Sequence, residues 1–276
     1  MKKPAKLTML ILLAFLSFSS YAKHPERYVF GVFPYLPTLE LEKIYSPIAK
    51  EFSIALNREV VFKTTTLFGS FNKRLDSEEY DIVLLQPFDY IRAADHHRYV
   101  PLATRVEELA GIITVKEGSD IKTVGDLKNK TIALPPKKSA VSRLVKQLLL
   151  SNGINPGKDV TLDYKRSHTS CLKQVHLGKA DACGTAPHPR RLFQQKMKTR
   201  IDIIGETPSI PHTLFAAHSR IPEKDREKII ATILSWDKTA TGKKILERGK
   251  LTPYKRVKNS DYDSVRQIEK QTRHIN

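Results

Sequence analysis

Acidic residues are scarce in this chain: 29 Asp and Glu stand against 47 Lys and Arg in 276 residues, a formal net charge of +18. That balance disfavours cationic partners and favours anions: nucleic acid, anionic lipid or acidic small molecules. Blocks of basic residues interleaved with aromatics are also lacking. The positive charge is scattered, which argues against a nucleic-acid groove. Cysteine is nearly absent, with only Cys171 and Cys183, too far apart for a redox CxxC pair. No HExxH, no GxSxG, no Cys/His zinc spacing and no Gly-rich phosphate loop occurs. Nine histidines are present, but the His96-His97 pair lies in a polar segment and reads as surface. These absences argue against an enzyme and predict neither a cofactor nor a metal site. Past the first residues, no apolar run reaches the roughly 20 residues needed to span a bilayer. Internal repeats, low-complexity tracts and long linkers are missing too.

What is present begins at the N-terminus. Lys2, Lys3 and Lys6 precede an apolar stretch from Leu7 to Phe18, then Ser20-Tyr21-Ala22 with small residues at its first and third positions. Basic, apolar, small-x-small is the order of a secretory signal peptide, with cleavage expected after Ala22. No Cys stands at that point, so lipid anchoring of the usual bacterial kind is not indicated. The expected compartment is the periplasm. A mature chain of about 250 residues is large enough for one big domain or two small ones. Export makes nucleic acid an improbable partner and puts the two cysteines in an oxidising compartment. There an even count suggests a disulfide, with two free buried thiols as the alternative.

The remainder alternates strand and helix patterns. Tyr28–Phe33, Glu59–Lys63, Asp81–Leu85, Gly111–Val115, Thr131–Leu134, Val160–Leu162, Asp181–Cys183, Ile201–Ile204 and Thr213–Ala217 read as strands. Between them, Leu41, Ile44, Ile48, Phe52 and Leu56 recur at helical spacing. Helices are also expected at Phe68–Leu75, from Pro87, around Val141–Leu149, at Thr169–Leu177, Glu223–Ser235 and Lys238–Arg248. A polar surface helix is expected from Asp261. The alternation predicts an α/β protein with parallel sheets.

Two stretches then carry a resemblance. Ser119-Asp-Ile-Lys-Thr-Val-Gly-Asp-Leu-Lys-Asn-Lys-Thr-Ile-Ala133 resembles a segment of type 2 periplasmic binding proteins. Gly31-Val-Phe-Pro-Tyr35, Tyr80-Asp-Ile-Val-Leu-Leu-Gln-Pro-Phe-Asp-Tyr90, Ser167-His168 and Leu177-Gly-Lys-Ala-Asp-Ala182 together resemble the phosphate/phosphite/phosphonate-binding proteins of ABC importers. The resemblance covers roughly residues 28–205. It implies a two-lobed fold with a hinge and a ligand cleft between the lobes. Residues 23–108 plus 207–276 would form one lobe and 109–206 the other, after a 1–22 signal peptide. It also implies a monomer that captures a small oxyanion and hands it to an ABC permease. A ligand sensor reporting to a membrane signalling partner is the alternative. Attachment to an anionic membrane surface through net charge is a third reading.

Within that resemblance, Tyr90 matches a cleft-lining tyrosine, Ser139 the first hydroxyl of the loop that grips phosphonate oxygens, and His168 a histidine that also contacts them. Tyr35 and Thr65 fall in cleft-facing loops. His188 stands where binders of aminoalkyl phosphonates carry an acid, so a cationic ligand tail is not expected. Ala140 and Val141 replace further hydroxyls of the gripping loop, and Lys137 or Lys138 could compensate with charge. Independently of the resemblance, loops that lead from strand ends into helices expose free N–H groups and the positive end of the helix dipole, which suits an oxyanion. The loops at Thr64–Thr66, Gln86-Pro87, Lys137–Ser139 and Ser167–Thr169 all have this form. On the implied topology, Cys171 and Cys183 reach the same end of one sheet, where a disulfide would stiffen the second lobe beside the ligand.

Overall fold

The computed structural model describes residues 27–273. The expected signal peptide and its expected cleavage after Ala22 lie outside the described residues. The chain opens with β1 (Arg27–Val32), α1 (Thr38–Leu56), β2 (Glu59–Lys63), α2 (Phe68–Asp76), β3 (Ile82–Leu85), α3 (Pro87–His96) and β4 (Tyr99–Arg105). A short β5 (Glu108–Leu109) leads out to β6 (Ile112–Lys116), β7 (Thr131–Leu134), α4 (Ala140–Ser151), β8 (Thr161–Tyr164) and α5 (His168–His176). Next come β9 (Ala182–Thr185), α6 (Pro187–Met197) and β10 (Ile201–Glu206). A short β11 (Ile210–Pro211) then returns to β12 (Leu214–His218), α7 (Glu223–Leu234), α8 (Ala240–Gly249), β13 (Tyr254–Arg256) and α9 (Asp263–Thr272).

These elements form two α/β lobes. One sheet has the order β13-β4-β12-β3-β1-β2, the other β10-β6-β9-β7-β8. The first takes strands from both parts of the chain and the second from its middle. The two crossings pair with each other, Ile210 opposite Leu109 and Pro211 opposite Glu108, in an antiparallel ribbon. The expectation of parallel sheets is corrected here. β1, β2 and β3 pair in parallel, as do β7, β8 and β9. However, β12, β4 and β13 join one sheet antiparallel, and β6 and β10 join the other antiparallel. The reversed strands follow the crossings: β6, by which the chain enters the second lobe, runs against the other four strands there, and β12, by which it returns, runs with β13 against β1, β2, β3 and β4.

Local chemistry fixes the parts nearest the site. β3 is buried along its whole length, as its unbroken Ile-Val-Leu-Leu run requires of a central strand. Pro87 then occupies the first turn of α3, where a missing N–H costs nothing. Ser139 caps α4 by accepting the Ser142 N–H, and Ser167 forms a capping box with Ser170 at α5. Each of these helices begins at the carboxyl end of a strand.

The expected surface helix at the C-terminus is in fact α9, which packs on α3 and α4 and buries Val265, Ile268 and Thr272. It spans both lobes: Arg143 of α4 pairs with Glu269 at 2.6 Å and lies over the Phe88 ring of α3 at 5.0 Å. Ala140 and Leu144 of α4 pack into the hydrophobic core of the first lobe, while Val141 and Val145 pack into that of the second.

Candidate functional site

A cavity of about 370 Å³ lies where the two sheets' loops face each other. The starts of α3, α4 and α5 all reach it, through Gln86 and Pro87, Ser139 and Ala140, and Ser167 and His168. Three helix N-termini therefore turn their positive ends toward one space. Arg105, Arg166 and Lys250 add cationic side chains to the lining, and no carboxylate lines it. Arg105 is held by Glu107 and donates from Nε to Thr252 at 3.0 Å. Among the described residues Arg166 has no ion-pair partner.

Of the six residues expected from the sequence, Tyr35, Ser139 and His168 line this cavity and Thr65, Tyr90 and His188 do not. The Tyr35 hydroxyl lies 2.9 Å from that of Tyr45. Ser139 accepts the Ser142 N–H at 3.2 Å and donates to Ser142 Oγ at 3.1 Å. Thr65 donates to the Leu67 carbonyl, an ordinary turn contact. Tyr90 is fully buried, lies tilted against the Tyr262 ring at 4.7 Å and donates to Asn259 at 2.8 Å, so it fastens α3 to the segment before α9. His188 is exposed on α6, its Nδ1 3.1 Å from Arg191.

His168 is the best-placed donor. Its Nδ1 lies 2.9 Å from the hydroxyl of Thr185 at the end of β9. That hydroxyl is fully buried, and its proton needs an acceptor. Donation to Nδ1 leaves the ring proton on Nε2, which makes that nitrogen a hydrogen-bond donor. Burial pushes the imidazole down to about 4, so the ring is neutral at pH 7 and donates without a charge of its own.

His212, at the crossing between lobes, accepts the Thr213 N–H through Nδ1 at 2.7 Å. Burial, with the Arg105 charge adding to it, pushes His212 down to about 3. Unfolded, both histidines return toward about 6.5, and the unfolded chain takes up protons first as pH drops. Their stabilising contribution is therefore full above about pH 6.5 and is lost as pH falls to their folded values. Asp89 acts in the opposite sense: burial raises its carboxyl to about 6, and its contribution is lost as pH rises through that value. The melting temperature of His212→Gln should accordingly fall less steeply than that of the parent between pH 6.5 and 4, with Asp89 common to both. Parallel slopes would mean that His212 is not held neutral.

Sequence reasoning reached the helix starts and His168 but missed the cations that line the cavity. Lys137 and Lys138 do not line it; Arg105, Arg166 and Lys250 do. Arg105 ends β4, a strand the pattern does not announce, and Lys250 sits in a left-handed cap after α8 (φ 49°). The expected disulfide is present. Cys171 in α5 and Cys183 in β9 are bonded with their Cα atoms 5.7 Å apart. The strand runs on past Cys183 to Thr185, which puts the bridge directly behind the Thr185–His168 pair.

Two α/β lobes joined by paired crossings around a basic cavity are the architecture of the two-lobed periplasmic binding proteins. A model of the family described as "ABC transporter, phosphonate, periplasmic substrate-binding protein" matches residues 30–262. The chain belongs to that family, and is a binding component rather than an enzyme. Among solved structures it is similar to PhnD1 of Prochlorococcus marinus in complex with methylphosphonate. The two share 17% identity with TM-score 0.75, over 91% of this chain and 100% of that one. It is also similar to a Xanthomonas citri protein bound to ATP, at 14% identity and TM-score 0.76, over 90% and 98% of the chains. The periplasmic aliphatic sulphonate binding protein SsuA of Escherichia coli gives 16% identity and TM-score 0.62, over 91% and 94%. No curated protein matches the chain in sequence.

Proposed function

We propose that the chain captures a small oxyanion (phosphate, phosphite or a phosphonate) between its lobes for delivery to an ABC permease. The observation that carries this reading is the convergence of three helix N-termini and three cationic side chains on a cavity without a carboxylate. The Nε2–H of His168, the free N–H groups at the helix starts and the Arg166 guanidinium share the anion's oxygens. A ligand lacking those oxygens would leave buried donors unpaired, which is the source of selectivity. The proposal rests on Tyr35, Ser139 and His168 and gives no ligand contact to Thr65, Tyr90 or His188. Residues 23–108 plus 207–276 form one lobe and 109–206 the other, with the β5–β11 ribbon as the hinge. Cleavage after Ala22 yields a monomer in the periplasm.

Thr185 acts here as a positioning residue. In calorimetric titrations with methylphosphonate, His168→Ala should weaken binding at least about tenfold, the cost of a lost hydrogen bond to a charged group. Thr185→Val should weaken it less, and Thr185→Ser should restore it. Nitrogen NMR of the His168 ring should find the proton on Nε2 in the parent and in Thr185→Ser, and a tautomer mixture in Thr185→Val. Wild-type affinity in His168→Ala would remove this pocket from consideration.

A further inference from the structure

The cavity is larger and more apolar than a tetrahedral oxyanion needs. At roughly 30 Å³ per water, 370 Å³ is the space of about a dozen waters, and a five-atom oxyanion takes that of two or three. The second lobe supplies His168, Ser139 and Arg166 to the lining, and the first supplies Arg105, Lys250 and the start of α3. Beside these cations the first lobe also offers an aromatic surface. Phe33, Tyr35 and Phe68 all line the cavity, with the Phe33 ring 5.0 Å from Tyr35 and 6.1 Å from Phe68. The Tyr35 hydroxyl already faces Tyr45, which leaves the ring as its free surface. Tyr254 extends the wall, backed by Phe215 and Trp236. Aromatic rings in contact present flat apolar area at low entropic cost. A free carboxylate, the group that would receive an ammonium, is missing from the lining.

Resting on the proposed oxyanion reading, we infer that the preferred ligand is a phosphonate or kindred tetrahedral oxyanion bearing a bulky, flat, apolar substituent of aryl size and no cationic group. The head binds the helix starts of the second lobe and the substituent lies against the Phe33–Tyr35–Phe68 wall of the first. One ligand thereby contacts both lobes and covers apolar area that a bare phosphate leaves exposed. Burying a ring in place of a methyl group is worth well over the tenfold commonly found for a single methylene.

The test is calorimetric titration of the exported chain with methylphosphonate, phenylphosphonate and 2-aminoethylphosphonate. Phenylphosphonate should bind at least about tenfold tighter than methylphosphonate, and 2-aminoethylphosphonate more weakly than either. Phe68→Ala should remove most of the phenyl advantage while leaving methylphosphonate within about twofold. If methylphosphonate binds and phenylphosphonate binds no tighter, the aryl inference falls and the oxyanion reading stands. If none of the three binds, and phosphate and phosphite fail as well, the oxyanion reading falls and takes the inference with it. The comparison among ligands needs only the parent protein, so an unstable variant does not blunt it.

Discussion

Trp236→Ala should cost the first lobe about 3–5 kcal/mol, the range for emptying a large aromatic site in a packed core. Trp236 is 1% exposed and packs on Phe52, Phe215 and Tyr254 with ring centres 6.2, 5.7 and 5.6 Å away. Among the described residues its indole N–H has no hydrogen-bond partner, so the loss is one of packing, and relief of that unpaired donor offsets part of it. The surroundings cannot close over the void easily. Gly242 at the start of α8 sits so near that a Cβ there would lie 2.2 Å from the Trp236 Cα. That glycine is what lets the helix abut the tryptophan backbone. Chemical denaturation should show the midpoint drop sharply with far-UV dichroism of the folded state retained. Because Tyr254 stands between Trp236 and the cavity, a phenyl-bearing ligand should lose more affinity than methylphosphonate. A stability change under about 1 kcal/mol would show that the aromatic core is less tightly packed than its ring contacts indicate.

The second large effect is expected from the Cys171–Cys183 bridge. It closes a short loop, 12 residues in sequence separation, and chain-entropy reasoning assigns such a loop roughly 3 kcal/mol. Both cysteines are fully buried with Leu172, Val175 and Phe193 in a small cluster of their own. A cluster of that size has little apolar area in reserve. The Cys171→Ser, Cys183→Ser double variant should therefore unfold its second lobe at lower denaturant than the first, turning one transition into two. Binding should weaken as well, because His168 sits one turn before Cys171 and Thr185 two residues after Cys183. A single transition at the parental midpoint would remove the bridge from the stability account.

Much of the fold was legible because its buried strands and capped helices carry short-range signals. Glu59–Lys63 and Thr131–Leu134 match the observed strands end for end, and Ser167 before the α5 pattern marks that helix to within a residue. The elements that escaped do so for physical reasons. In β4 the proline at position 101 interrupts the alternation, and the structure accommodates it at a register shift opposite Ala216. In α6, Pro187 and Pro189 argue against a helix until the first is seen to occupy its opening turn. β13 and the β5–β11 ribbon are too short to carry a period at all.

The site divides the same way. Helix starts and His168 are local features and were readable as such. Arg105 and Lys250 reach the cavity only through the tertiary fold, and nothing in their own neighbourhoods distinguishes them from the many basic surface residues, whereas Arg166 adjoins the Ser167-His168 loop. Tyr90 shows the converse case. Its motif placed it near the cavity, but the hydroxyl partner that decides its role, Asn259, lies 169 residues away.

Helix α4 belongs to both lobes at once. Its first N–H, at Ala140, donates to Gln86 Oε1 of the first lobe at 3.1 Å, and Arg143 reaches Glu269 and Phe88 from the next turn. The contacts of Arg143 lie outside the cavity lining, yet they hold the two lobes together and so bear on the fraction of molecules whose two halves stand ready. Apparent affinity is the intrinsic value scaled by that fraction. Changes at Arg143 and Glu269 should therefore multiply every dissociation constant by one common factor and leave the ranking of ligands untouched, whereas changes in the aromatic wall reorder the ranking. Sensitivity and selectivity are thus set by separate residues, and evolution can adjust one without disturbing the other.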